Sequence, residues 1–378
     1  MEDTTIWTAA FRIVLAGDGS RLYDPVRQVE SLSRWIPLNG TDHAPLWAFP
    51  PPHSFVLSPL GYLSPFALYV LLTLVSTALW VVLVKSSVTW MRSREIPWSD
   101  NSVALAAAAA MAFAPAMGTI RYGSFSILVV TALWAGIRRT LEPGGARNRA
   151  AAALWFAAAL KPQMIVLTML AALRRRTSSV MGAAAALLSS SVALGCVFGM
   201  TLVRGWIDIN ITYSKKSPGA PIDRMWTLRG VLTRAFGDTS TVGITWVVGF
   251  IIALTVTAWI GFGAASRNRL ASALAVGLAL QCVLFPYQSS YDTVLLVPAS
   301  LLTIDVGRHL TPKLTRAFGR FALISTLIVF SPKWEERLPG LDWGMPLPAV
   351  LVWVAVSMII AIAVQVRLRE PASTGATA

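Results

Sequence analysis

Apolar residues in this chain come in long blocks separated by short polar interruptions, with no strand-like alternation. Eleven blocks stand out, at 54–84, 101–119, 124–138, 148–161, 162–173, 179–203, 242–266, 270–286, 291–305, 317–331 and 346–366. About 20 apolar residues in a helix cross a hydrocarbon core of ~30 Å. The pattern therefore predicts an all-α polytopic membrane protein with about 11 transmembrane helices. Several blocks are short for a span. The two that meet at Lys161-Pro162 predict a broken or tilted element, because proline removes a helix hydrogen bond.

The polar interruptions carry further local structure. In "DTTIWTAAFRIVLAGDGSRLYDP" the residues Trp7, Ala10, Phe11, Val14 and Leu15 recur at helical spacing. They predict a short amphipathic helix lying along the membrane surface and stopped by Gly17 and Gly19. "APLWAFPPPHSFVLSPLGYLSP" is proline-rich and aromatic and predicts a rigid entry loop before the first span. "DRMWTLRGVLTRAFG", inside the long interruption 204–241, predicts a second short surface helix.

Composition agrees with a lipid-embedded chain. Hydrophobic residues make up 55% and charged residues 13%, against roughly 25% charged in soluble domains. Many of the 15 Trp and 7 Tyr flank the apolar blocks, as interfacial belts do. Cys196 and Cys282 sit inside apolar blocks and form no metal or disulfide pattern. The net charge of +14 does not indicate nucleic acid, since the basic residues fall in separate short loops.

Their distribution sets an orientation instead. One set of loops holds Lys85, Arg92 and Arg94; Arg138, Arg139, Arg147 and Arg149; Arg174, Arg175 and Arg176; Arg267 and Arg269; Arg308, Lys313, Arg316 and Arg320; and Arg367 and Arg369. Only Glu95, Asp100, Glu142, Asp305 and Glu370 oppose them there. The positive-inside rule assigns this set to the cytoplasm. Residues 1–53, 204–241 and 332–345 are then exterior, residues 1–366 form one transmembrane domain, and 367–378 is a disordered cytoplasmic tail. An exterior N-terminal segment needs something to carry it across. A helix upstream of Met1 is the favoured expectation, and translocation of a polar tail is the alternative.

Candidate chemistry collects on the exterior side. "AAALKPQMIVL" puts Lys161 and Gln163 into some 25 apolar residues. A charge at membrane depth is expensive and usually faces an internal cavity, and an ammonium suits a phosphate or pyrophosphate. Snorkelling from a helix end is the structural alternative. Arg121 in "GTIRYGSFSILVV" and Arg229 in "WTLRG" are further cations on this side, suited to an anionic lipid headgroup. Asp3 stands at a helix start, where it reads equally as an N-cap. His53 reads as a hydrogen-bonding group or a plain interfacial histidine. Asp292 in "FPYQSSYDTVLLVPA" opens a span, where a helix N-terminus favours its charge.

The order of these motifs resembles glycosyltransferase family 87: "LYDP", an aromatic "PP" entry to a span, Gly-x-Ser, "KPQ" before an arginine cluster, "WTLRG", then "YDTVLLVPA". The resemblance runs from about residue 3 to residue 305. It implies a type-C glycosyltransferase-like bundle and a membrane enzyme taking a sugar, expected to be mannose, from a polyprenyl-phosphate donor. The acceptor would be a glycolipid or glycan, reached at the outer face of the cytoplasmic membrane, with no cofactor or metal. It further implies Asp3 as catalytic base and Lys161, Arg121 and Arg229 on the donor phosphate. Substrate contacts are expected from Gln163, His53, Tyr291, Asp292, Tyr23 and Asp24. Two positions depart from the family: Gly123-Ser124-Phe125-Ser126 stands where Gly-Gln-x-Ser is frequent, and Tyr291 where a histidine often precedes the aspartate. The competing class is a flippase or transporter of lipid-linked sugars, whose internal repeat is not visible in the chain.

Overall fold

A computed structural model describes residues 2–36, 46–94, 99, 104, 107–108, 113–142, 149–173, 178–215, 227–262, 267–284 and 290–307. The described regular elements are helical throughout. They are α1 (Glu2–Leu15), α2 (Pro25–Leu32), α3 (Pro51–Leu57), α4 (Pro65–Ser93), α5 (Ala114–Tyr122), α6 (Ser126–Leu141), α7 (Arg149–Ala158), α8 (Val166–Leu173), α9 (Ser178–Phe198), α10 (Thr201–Lys215), α11 (Leu228–Phe236), α12 (Ser240–Phe262), α13 (Arg267–Leu284) and α14 (Leu296–Gly307). Short 3-10 turns at Ser58–Tyr62, Pro162–Met164 and Ser290–Leu295 link some of them. Among the described residues, three helices are long and apolar enough to cross a membrane: Pro65–Ser93, Ser178–Phe198 and Ser240–Trp259. The blocks 317–331 and 346–366 and the tail lie outside the described residues, as does most of 101–112.

Helix starts and stops follow local chemistry. Ser64 caps α4 by accepting the Ala67 N–H, with Pro65 at the first helical position. Thr227 caps α11 through the Gly230 N–H, so the predicted second short helix is present. Gly17, at φ 85°, closes α1. Its N–H reaches the Val14 carbonyl and the Asp18 N–H the Ile13 carbonyl, the paired bonds of a Schellman stop. The three prolines of "FPPPHS" sit at the start of α3, Pro50 before it and Pro51 and Pro52 in its first turn. No helical N–H is lost there. The expected loop is thus a helix entry, and Pro51, Pro52, His53 and Ser54 are buried.

The first helix departs from the expected surface placement. Trp7, Ala10, Phe11 and Ile13 are buried, but so are Thr4, Thr5 and Thr8 on other faces. α1 packs against α2, α3, α4, α5 and the Ser58–Tyr62 turn. It is therefore covered by neighbouring helices on several faces, which periodicity alone could not reveal because its polar face is threonine. Cys282 is buried as expected, whereas Cys196 is exposed on the outside of α9.

The break at Lys161-Pro162 produces two half-length helices. α7 has 10 residues and α8 has 8, so they rise about 15 Å and 12 Å at 1.5 Å per residue. A broken helix releases backbone groups that lipid cannot satisfy. Here the side chain of Gln281, fully buried on α13, accepts the Leu167 N–H at 2.8 Å in the first turn of α8. Gly277 lets α13 come this close, since a Cβ there would lie 3.1 Å from the Leu167 carbonyl oxygen. Gln281→Leu should lower stability by about 1–3 kcal/mol, the cost of a buried unpaired donor. A melting temperature in detergent equal to that of the parent would refute this.

Groups assigned to one membrane side by charge also meet in space. Arg94, just past α4, lies 3.8 Å from Asp305 near the end of α14, and Arg138 donates to Ser86. The other ends of α4 and α14 carry Tyr69 and the Ser290–Leu295 turn, and these border the site.

Candidate functional site

Two interruptions of the helical bundle converge. The first is the turn between α5 and α6. Gly123 caps α5 in the left-handed region, φ 68°, and the chain then runs through Ser124 and Phe125 into α6 at Ser126. A side chain at Gly123 would meet Thr4 and Tyr69 at 3.1 Å. Glycine is thus required both by φ and by the first turn of α1 lying against it. The second is the tip between α7 and α8. There the helical bonds shift to i→i−3 spacing: the Ala159 N–H is shared between the Trp155 and Phe156 carbonyls, and the Leu160 and Lys161 N–H groups reach the Ala157 and Ala158 carbonyls.

Lys161 projects from that tip into a buried polar knot. Its Nζ lies 3.1 Å from Ser124 Oγ, 2.9 Å from Ser126 Oγ and 3.0 Å from Asp292 Oδ1. Ser126 also donates to Asp292 Oδ1 at 2.5 Å, and the two serine oxygens are 3.0 Å apart. Lys161 is 5% exposed and Asp292 3%. An ammonium has three protons to donate, and these three oxygens lie within reach of them. A lone buried charge would be prohibitive, whereas a paired and hydrogen-bonded one is tolerable. The spans of 131 residues to Asp292 and 37 to Ser124 make the knot the meeting point of three segments.

Aromatic rings roof this knot. The Phe49 ring centroid is 6.0 Å from Lys161 Nζ, the outer limit of a cation–π contact. Trp7 of α1 stacks on Phe125 at 4.3 Å, and Trp47 lies 4.3 Å from Phe49. Asp3, half-buried in the first turn of α1, thus stands one residue from the Thr4–Gly123 contact, and Gly123 leads directly into the lysine's serine ligands.

The other expected site residues take varied positions. Arg121 is exposed in the last turn of α5, 6.0 Å over the Tyr122 ring. Arg229 is buried where α11 meets α12, 3.9 Å from Asp238 and 5.5 Å from the Trp246 ring. The Trp246 indole bonds the Leu284 carbonyl at the end of α13. Asp24 is an N-cap, its carboxylate accepting the Val26 and Arg27 N–H groups and pairing with Arg21. These bonds hold its carboxyl below the usual range even though partial burial opposes them. Tyr23 is buried, with its hydroxyl on the Phe49 carbonyl and 3.3 Å from Ser54 Oγ. Burial pushes its pKa upward, so it stays a neutral tether for the Phe49 segment. Gln163 and Tyr291 lie on the Pro162–Met164 and Ser290–Leu295 turns, and their side chains fall outside the described set.

His53 is buried against α7. Its ring stacks on Phe156 with centroids 4.8 Å apart, and Nε2–H donates to the Phe156 carbonyl at 2.9 Å. Burial holds its pKa below the ordinary value, the hydrogen bond opposing only in part. The imidazole is therefore neutral at pH 7.

Ser124 and Ser126 were the residues not singled out from sequence as ligands. The departure from Gly-Gln-x-Ser was their signal, since it puts a second hydroxyl at a family motif. Among the described residues no group of three or more His, Cys, Asp or Glu side chains is placed to hold a metal.

A family model for glycosyltransferase family 87 matches residues 47–286, more than half of the chain. The match contains His53, Arg121, Lys161, Gln163 and Arg229, while Asp3 precedes it and Asp292 follows it. No curated protein and no solved structure matches the chain.

Proposed function

Because the chain belongs to glycosyltransferase family 87, it is a membrane glycosyltransferase, and we propose that its donor is a polyprenyl-phosphate sugar, with mannose the expected sugar. The acceptor is a glycolipid or glycan presented at the outer face of the cytoplasmic membrane. The observation that carries this reading is the buried knot of Lys161, Ser124, Ser126 and Asp292 beside the first turn of α1.

In this reading Asp3 accepts the proton of an acceptor hydroxyl while that oxygen attacks the anomeric carbon. The bond from the anomeric carbon to the phosphate oxygen breaks, and polyprenyl phosphate departs with the electron pair. A single displacement with one carboxylate inverts the anomeric configuration. Charge developing on the leaving phosphate is met electrostatically. Asp292 offsets Lys161, so the ammonium serves an anion by giving up one serine acceptor. The freed hydroxyl then turns to donate to the same phosphate. Arg121, exposed two residues before Gly123, adds an approach for phosphate oxygens from the surface. Arg229 supports the donor from the α11 side through its junction with α12.

Family membership favours transfer over translocation of a lipid-linked sugar. Membranes containing the protein should convert labelled polyprenyl-phosphate mannose and extracted lipid acceptors into a mannosylated product. Movement of the donor across the bilayer without a product would support the flippase reading. Transfer only from a nucleotide sugar would sink the donor assignment.

A further inference from the structure

The end of α7 raises a question of backbone accounting. In an intact helix the Phe156 carbonyl would accept the N–H four residues on. Here the Leu160 N–H has turned to the Ala157 carbonyl instead, and Phe156 keeps only a share of the Ala159 N–H at 3.0 Å, which also reaches the Trp155 carbonyl at 3.1 Å. The accepting position that the break releases is filled from outside the helix, by His53 Nε2–H at 2.9 Å. The same imidazole stacks on the Phe156 ring. His53 therefore grips both the main chain and the side chain of one residue, five positions before Lys161.

The other ring nitrogen is informative. Nδ1 is buried and has no hydrogen-bond partner among the described residues. Because a carbonyl can only accept, Nε2 must carry the proton and Nδ1 must be a bare acceptor. A buried unsatisfied acceptor carries a cost and asks for an explanation. Since Nδ1 is closed off from solvent as well, it is not placed to read a sugar hydroxyl. What the ring does contribute is a rigid brace between α3 and the tip of α7. α3 is itself fixed, with Ser54 bonded to the Trp47 indole at 2.7 Å and to the Pro50 carbonyl at 3.0 Å.

We propose that His53 is a positioning residue: by taking the remaining accepting position of the Phe156 carbonyl at the helix break, it sets the point at which Lys161 enters the Ser124–Ser126–Asp292 knot. The loop carrying Phe49, the ring over Lys161, leads straight into α3. A single rigid segment thus holds the lysine's roof at Phe49 and its foundation at His53, the residues immediately before and after the proline run Pro50–Pro52. The catalytic consequence rests on the donor-phosphate reading of Lys161, whereas the brace itself does not.

The test uses the full-length protein in detergent and two variants. His53→Phe keeps a stacked ring and removes the donor. His53→Gln restores an N–H at the ε position without the ring. Hydrogen exchange at the Leu160 and Lys161 amides should speed up about three- to tenfold in His53→Phe, the scale of one modest hydrogen bond. It should return toward the parent value in His53→Gln. For mannosyl transfer, kcat should fall about 10–100-fold in His53→Phe with the acceptor KM little changed, the scale of a sub-ångström to ångström displacement of a charged group. The glutamine variant should recover most of it. Parent-like exchange at the tip in His53→Phe would overturn the brace. Faster exchange with an undiminished kcat would overturn its role in placing Lys161. Equal losses in both variants, tracking the loss of melting temperature, would reduce His53 to packing and overturn the proposal. If exchange responds as expected but the parent transfers nothing from polyprenyl-phosphate mannose, the brace is supported and the donor reading is what fails.

Discussion

Asp3→Asn should lower turnover by about 10²–10⁴-fold, the usual contribution of a positioned general base. At about 1.36 kcal/mol per tenfold, that is roughly 3–5 kcal/mol of transition-state stabilisation. The same substitution removes a negative charge from the first turn of α1. The helix dipole makes that worth only about 0.3–1 kcal/mol of stability. The two effects differ enough to be separated. An inactive variant that melts near the parent temperature and still binds donor identifies a base, whereas a fall in stability that accounts for the lost activity identifies a cap. Asp3→Glu keeps the charge but moves it by a methylene, and an ångström of misplacement can cost about 10²-fold. Near-parent turnover by the asparagine variant would remove Asp3 from the chemistry altogether.

The second large effect is asymmetric. Lys161→Met leaves Asp292, 3% exposed, facing two serines without its counter-charge. Asp292→Leu leaves the ammonium in the same position. Removing one member of a buried pair typically costs about 3–5 kcal/mol, while replacing both with apolar groups is often neutral. Each single variant should therefore lose much of its thermal stability. Lys161→Met/Asp292→Leu should recover most of it, with the coupling read from the double-mutant cycle. On the proposed donor-phosphate reading the recovered double variant should still lose most of its activity, because Lys161 no longer meets the leaving phosphate and only Arg121 and Arg229 remain on that side. If it transfers sugar at the parent rate, the knot is a purely structural plug and the donor site lies elsewhere.

These two experiments bracket what the amino-acid pattern could reveal. Asp3 and Lys161 were both recognisable as chemically odd: an acid at a helix start and a cation in an apolar run. Their relation was not. Lys161 looked like a cation awaiting a phosphate, and Asp292 like a helix-start acid. A lysine at membrane depth needs a carboxylate, the apolar blocks contain few, and Asp305 is claimed by Arg94 at the opposite end of α14. Asp24 is the reverse case. Asp-Pro before a helical run is an N-cap signature, and its side chain is engaged in that role.

Hydropathy, charge asymmetry and the glycine and proline punctuation determined which segments are helical, where they stop and which membrane side each end was assigned to. These quantities accumulate residue by residue along the chain, so no knowledge of neighbours is required. Tertiary structure alone decided that α1 is covered by neighbouring helices on several faces, that α7 and α8 meet in a braced tip, and that Lys161 closes on Ser124, Ser126 and Asp292. Those outcomes depend on contacts across 35 to 166 residues. Such contacts form only where packed helices bring buried charges close enough to compensate the loss of water.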